Sequence, residues 1–163
     1  MEINEIVRRF VMCSFEHGGH VIIISPAQHL LFKRATYYPY THGETPWSTL
    51  YDLAKFSKRV DVVTTWPPKS EKELQLVYNL AEYMRPPTSI PLRLYLSDNV
   101  PLLLINEKEA FDGVRLMRTQ TEIEKLRQTA EDIIKRSKKV GIFEYDDIRL
   151  EYCRHFKLYD ARC

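Results

Sequence analysis

The sequence predicts an α/β domain: a three-layer sandwich on a largely parallel, mixed sheet, followed by a C-terminal helical extension. Two patterns carry that prediction. The strand candidates Val21–Ile24 (VIII) and Pro101–Ile105 (PLLLI) are apolar without alternation, as in strands covered on both faces. The order along the chain is strand, helix, helix, strand, helix, strand, strand, and each early connection is a helix long enough to cross over between parallel neighbours.

Ile3, Ile6, Val7, Phe10, Val11 and Ser14 recur at helical spacing and predict a first helix over about Ile3–Phe15, ended by Gly18-Gly19. Val21–Ile24 follows as a buried strand of β-branched residues. Ser25-Pro26-Ala27-Gln28 then supplies a cap serine, a first-turn proline and a glutamine three residues after the cap. A helix is expected from Pro26, with Leu30, Leu31 and Ala35 inward, broken by Tyr37–Gly43 (YYPYTHG). Thr45 or Ser48 caps the next helix, whose apolar face is Trp47, Leu50, Tyr51, Leu53, Ala54 and Phe56 and whose end is Lys58-Arg59. Val60–Trp66 (VDVVTTW) is a strand stopped by Pro67-Pro68. Ser70 and Glu73 form a capping box for a third helix that carries Leu74, Val77, Tyr78, Leu80, Ala81 and Met84 and ends at Arg85-Pro86-Pro87.

The stretch Ile90–Val114 reads as two apolar strands, Leu92–Leu96 and Pro101–Ile105, joined by the polar turn Ser97-Asp98-Asn99. Beyond Gly113 the longest helix spans Thr119–Lys139. Thr121 and Glu124 are its capping box, Ile123, Leu126, Ala130 and Ile133 its stripe, and Lys135, Arg136, Lys138 and Lys139 its basic last turn, with Gly141 as the stop. A tail helix over about Tyr145–Leu158 presents one seam, Ile148, Tyr152 and Phe156, expected to pack on the body of the same chain. The division is an α/β domain over 1–116 and a helical extension over 117–163 packed on it.

With 163 residues, 44% hydrophobic and 28% charged, the chain has the composition of one globular domain with a substantial core. No apolar run approaches 18 residues, so no membrane partner is expected, and MEINEIVRRF lacks the apolar block of a signal peptide. Three scattered cysteines, Cys13, Cys153 and Cys163, argue against a disulfide framework and against a CxxC zinc site; a reducing, cytoplasmic setting is expected. A net charge of +2 is too small to imply nucleic acid by itself.

Ligand sites in such sheets lie outside the carboxyl ends of the strands. Here those ends are Ser25–His29, Thr64–Trp66 and Ser97–Asn99. With the elements in this order, and with VIIISP and KRVDVVTTWPP in their places, residues 3 to 116 resemble a phospholipase-D-like domain. That superfamily is defined by the motif His-x-Lys-x4-Asp-x6-Gly-Ser-x-Asn. Setting the motif's aspartate on Asn106 puts its histidine on Asn99, its lysine on Pro101 and its glycine on Gly113, with Val114 and Leu116 in the last two positions. Only the glycine matches. In the family the histidine attacks a phosphodiester or protonates the leaving oxygen, and the lysine holds the phosphate. Asn99 does not titrate and Pro101 has neither charge nor N–H, so the resemblance implies a domain without catalysis. The nearest functional analogy is the effector domain of TrmB-type archaeal regulators; the DNA-binding winged helix that those proteins carry is not among the elements expected in these 163 residues, so DNA binding is not carried over. Val114–Glu131 (VRLMRTQTEIEKLRQTAE) is separately similar to the junction helix of creatinase and Xaa-Pro peptidases, without that family's metal ligands.

The residues expected to bind a ligand are therefore Ser25, Gln28, His29, Thr65, Trp66, Asn99 and Asn106, and those expected to meet nucleic acid are Lys135, Arg136, Lys138 and Lys139. No catalytic residue, metal ligand or cofactor is assigned; His17 and His20 lack a third ligand and read as surface residues. The functional expectation is a non-catalytic binding domain, regulatory or part of a nucleic-acid-processing or transcription assembly, acting as a homodimer or with a protein partner. One rival is a phosphodiesterase or nuclease using His29 or His20 with Ser25. The other is a nucleic-acid-binding module using the basic C-terminal helices.

Overall fold

The computed structural model describes residues 3–26, 46–84 and 90–156. The helix expected from Pro26, with the candidate ligands Gln28 and His29, lies outside those residues, as do Tyr37–Gly43 and the Arg85-Pro86-Pro87 stop.

Five helices and seven strands are described. They are α1 (Ile3–His17), β1 (His20–Ile24), α2 (Pro46–Phe56), β2 (Arg59–Thr65), α3 (Glu71–Tyr83), β3 (Leu92–Ser97), β4 (Leu103–Ile105), β5 (Ala110–Phe111), β6 (Leu116–Met117), α4 (Gln120–Arg136), β7 (Lys138–Lys139) and α5 (Ile142–Phe156). One sheet has the order β6-β5-β4-β1-β2-β3-β7. It is mixed, as expected, with the parallel part confined to β1-β2-β3 and every other pairing antiparallel.

Alternation along the strands sorts two cores. Val21, Ile23, Val60, Val62, Leu94 and Leu96 face one side, where α1, α2, α3 and α5 contribute Phe10, Leu53, Tyr78 and Ile148. Ile22, Ile24, Val63, Tyr95, Leu103 and Ile105 face the other, where the described cover is α4 through Ile123 and Ala130. The unbroken apolar runs thus match burial on both faces.

The ends of the elements follow their local chemistry. Gly18 closes α1 at φ +62, its N–H donating to Ser14 O at 2.9 Å; a Cβ there would sit 2.8 Å from Phe56 O. Ser70 caps α3 by accepting from Glu73 N–H, while the Glu73 carboxylate reaches back to Lys69 N–H. The tail seam packs on α3 as expected. Tyr152 stacks on Tyr78 with centroids 4.0 Å apart, Phe156 tilts against Tyr152, and Tyr145 Oη donates to Glu82 at 2.8 Å.

Three expectations change. First, β3 and β4 do not pair: they stand on opposite sides of β1-β2. Residues 98–102 carry the chain across three strand spacings, roughly 14 Å, within reach of five extended residues at roughly 3.3 Å each. Val100 anchors that crossing by burying itself in the α4-side core. Second, α4 is capped by Thr119 with Glu122, not by Thr121 with Glu124; the two Thr-x-x-Glu signatures overlap, and the earlier one starts the helix two residues sooner, with Thr119 Oγ1 accepting from Glu122 N–H. Third, α4 stops at Arg136, where Ser137 Oγ donates back to Ile133 O. Lys138 and Lys139 are not helical; they pair with Leu96 and Tyr95 as the edge strand β7. Seventeen residues make α4 about 25 Å long, close to the roughly 29 Å between outer strands, so it carries the chain from the β6 edge to the β7 edge.

Of the described cysteines, Cys13 is a free thiol and Cys153 is disulfide-bonded, so the cysteines are not all reduced as expected. Among the described residues, no helix is long and apolar enough to cross a membrane, and no group of three side chains could hold a metal ion.

Candidate functional site

Parallel register brings the carboxyl ends of β1, β2 and β3 to one rim of the sheet. Ser25 N–H donates to Val63 O and Trp66 N–H to Ser97 O, both at 2.9 Å, so the ladder continues one step past the strands. Ser25, Thr65, Trp66 and the Ser97–Asn99 turn are gathered there, as the sequence indicates.

Their side chains divide sharply. Ser25 is buried and its Oγ donates to Pro26 O at 2.8 Å; Thr65 is buried as well. Asn99 is exposed, with its carbonyl oxygen accepting from Ser97 Oγ at 3.4 Å. Trp66, half-buried, reaches the rim, because Pro67-Pro68 turns the chain away immediately after it. It lines a cavity of about 170 Å³ with Leu96, Ser97, Asp98, Lys138, Glu144, Asp147 and Ile148. A more open groove of about 450 Å³ continues from it past Trp66, Asp147, Leu150, Glu151 and Arg154.

The cleft is acidic. Lys138 Nζ lies 3.9 Å from Glu144, which also accepts from Gly141 N–H, and Glu151 pairs with Arg154 and, at 3.0 Å, with His155. Asp98 and Asp147 are exposed and make no ion pair with another described residue. Asp98 and Asp147, on separate elements, thus line the same cavity as Trp66 without an ion partner among the described residues.

Asn106 lies elsewhere. Because β4 runs antiparallel to β1, Asn106 sits at the amino end of β1, a strand's length from Asn99. It is fully buried, its Oδ1 accepting from Lys108 and Glu109 N–H at 2.8 Å and its Nδ2 donating to Ser14 Oγ at 3.0 Å. Its hydrogen bonds are consumed in holding a turn on α1. The structure does not bring Asn106 together with Ser25, Trp66 and Asn99.

That same end holds a network the sequence does not reveal. His20 Nε2 and Asp61 Oδ2 are 2.7 Å apart, and Arg127 from α4 places Nη1 at 3.1 Å from His20 Nδ1. A guanidinium only donates, so Nδ1 accepts and Nε2–H donates to Asp61. Arg127 Nη2 also donates to the carbonyls of His20 and Asn106. Asp61 is fully buried; burial pushes its carboxyl up, but the hydrogen bond from His20 and the charge of Arg59 outweigh it and hold it below the ordinary carboxylate range. Arg59 Nε is 2.9 Å from Asp61 Oδ2 without hydrogen-bond alignment, so this is a charge contact, and Asp61 Oδ1 has no hydrogen-bond partner. Nearby, burial raises the Glu109 carboxyl, with Arg118 offsetting part of the effect, and burial beside Glu109 raises the Cys13 thiol.

A hydrolytic pair of His20 with Ser25 is not assembled. The two stand at opposite ends of β1, about 16 Å apart by strand rise. The basic group also divides: Lys138 turns to the cleft, Lys139 shares the Tyr95 face of the sheet, and Lys135 and Arg136 are exposed on α4.

Fold and rim together define a mixed α/β domain with an acidic cleft, lined in part by Trp66, at its carboxyl edge. No family model and no curated protein matches the chain. Among solved structures it is similar to TrmBL2, an archaeal chromatin protein whose structure shows a novel mode of DNA binding, with a TM-score of 0.49, 9% identity, and coverage of 79% of this chain and 48% of that one. The chain spans about half the length of that protein. A likeness of this size transfers neither a family nor a partner to this chain.

Proposed function

We propose that this chain is a non-catalytic binding domain that works through the Trp66 cleft, in a regulatory setting or as a subunit of a nucleic-acid-processing or transcription assembly. The observation that carries the reading is the division of polar groups. Ser25 and Asn106 are bonded inward and His20 is held at both ring nitrogens, whereas Trp66, Asp98 and Asp147 stand open to a partner. Replacement of the reactive residues of a phospholipase-D-like motif agrees with this. A homodimer or protein partner belongs to the same reading, since Phe143 and Leu150 on α5 are 81% and 57% exposed. The test combines phosphodiester reporters with a ligand screen followed at the Trp66 indole N–H signal. The reading expects no turnover and a Trp66 response; turnover that survives purification and titrates with a histidine contradicts it.

A second reading, nucleic-acid binding, draws on exposed Arg93 and Lys139 on one sheet face with Lys135 and Arg136 beyond. It expects affinity that falls steeply with salt.

A further inference from the structure

We infer that the Trp66 cleft takes a positively charged side chain, a guanidinium or ammonium group carried on a basic segment of a partner protein. This rests on the cleft being a binding site, and three features of the cleft select the ligand's chemistry.

The first is charge. Asp98, Glu144, Asp147 and Glu151 line the cavity and its groove against Lys138 and Arg154. Each base is already beside a carboxylate, Lys138 at Glu144 and Arg154 at Glu151. Among the described residues Asp98 and Asp147 remain without an ion partner, one on the loop after β3 and the other on α5, so the described lining carries excess negative charge. Phosphate, carboxylate or a nucleic-acid backbone would meet like charge there.

The second is the tryptophan. An indole face attracts a cation through its quadrupole, and carboxylates beside it supply hydrogen-bond acceptors for the N–H groups. Trp66 borders both the cavity and the groove, which places it where a charged head group and its stem would pass.

The third is size. A cavity of about 170 Å³ has room for about five or six waters at roughly 30 Å³ each, which suits a guanidinium and the end of its stem. That enclosed part alone is smaller than the pockets of roughly 300 Å³ or more that drug-sized or nucleotide-sized ligands occupy. The adjoining groove of about 450 Å³ leaves space for the peptide on either side of that residue.

The test uses the full chain and an uncharged-flank peptide, acetyl-Gly-Gly-Arg-Gly-Gly-amide, beside its citrulline counterpart, which keeps the shape and removes the charge. Binding is read at the Trp66 indole N–H by NMR titration, with Trp66→Phe assigning the signal. The arginine peptide should bind at least tenfold more tightly than the citrulline peptide. The Asp98→Asn/Asp147→Asn double variant should lose that preference; both side chains are exposed, so an unchanged urea midpoint verifies its fold. Equal binding of the two peptides overturns the cationic assignment while leaving the cleft a binding site. A preference that survives in the double variant overturns the assignment to these carboxylates. No Trp66 response to either peptide or to any member of the ligand screen overturns both the assignment and the reading beneath it.

Discussion

The two ends of the central sheet solve opposite problems with similar residues. At the amino end a buried carboxylate, Asp61, is enclosed by His20 and Arg59, and Arg127 ties His20 and Asn106 to α4. At the carboxyl end two carboxylates, Asp98 and Asp147, are exposed and have no ion partner among the described residues, and both line the cavity with Trp66. A charge removed from water must be matched by partners, so the amino end is committed to the fold. A charge left in water costs the fold little and remains available to a ligand.

Breaking the closed end should produce the largest effects. Asp61→Ala strands the Nε2–H of His20 and removes the counter-charge of half-exposed Arg59, and it is expected to cost about 3 kcal/mol in urea unfolding. Asn106→Ala removes two acceptor bonds and one donor bond in a buried turn, with an expected loss of about 2 kcal/mol by the same measurement.

Acid should separate two carboxylates of the closed end by sign. Asp61 has a folded-state value below its ordinary 3.8, so the unfolded chain takes up that proton first. Its contribution is fully present above that range and is lost as pH falls through the folded-state value. Glu109 is raised above 4.5, so the folded chain takes up that proton first and gains stability as pH falls from neutral. A pH series of urea midpoints should therefore rise slightly on mild acidification before it collapses. Glu109→Gln should raise the neutral midpoint and remove the rise.

The smallest effects on stability belong to the open end. Asp98→Asn and Asp147→Asn should each stay within about 0.5 kcal/mol of the parent in urea, although both border the cleft. A larger loss at either position would mean that the open end also supports the fold.

Much of the fold was legible in the sequence, because periodicity and capping act over short distances. The α1 stripe, the Ser70 cap and the apolar runs of β1 and β4 are all local signals. What escaped was set by distance or brevity. Nothing in Ser97–Asn99 tells a hairpin turn from a crossing, because that choice depends on β1 and β2 already lying between the two strands. β5, β6 and β7 have two residues each, too few to show alternation, and Lys138-Lys139 has no strand propensity to announce it.

The site was legible by halves. Trp66 and the Ser97–Asn99 turn follow from the rule that ligands meet the carboxyl ends of parallel strands. Asp147 and Glu144 reach the same cleft from α5, on a helix whose inner seam alone was visible in the sequence. His20 and Asp61 are 41 residues apart and Arg127 is 107 from His20, so their network has no local signature, although an Asp inside an apolar β-strand was a usable hint. Asn106 drew attention through motif spacing, and its polarity serves the turn over Ser14.

The contrast between the two ends is tested most directly by urea unfolding midpoints for Asp61→Ala and Asp147→Ala, measured side by side at neutral pH. The expected result is a deep loss for Asp61→Ala and a midpoint for Asp147→Ala that matches the parent. Equal losses, or a loss confined to Asp147→Ala, would contradict the division between a closed end that holds the fold and an open end that is free to bind.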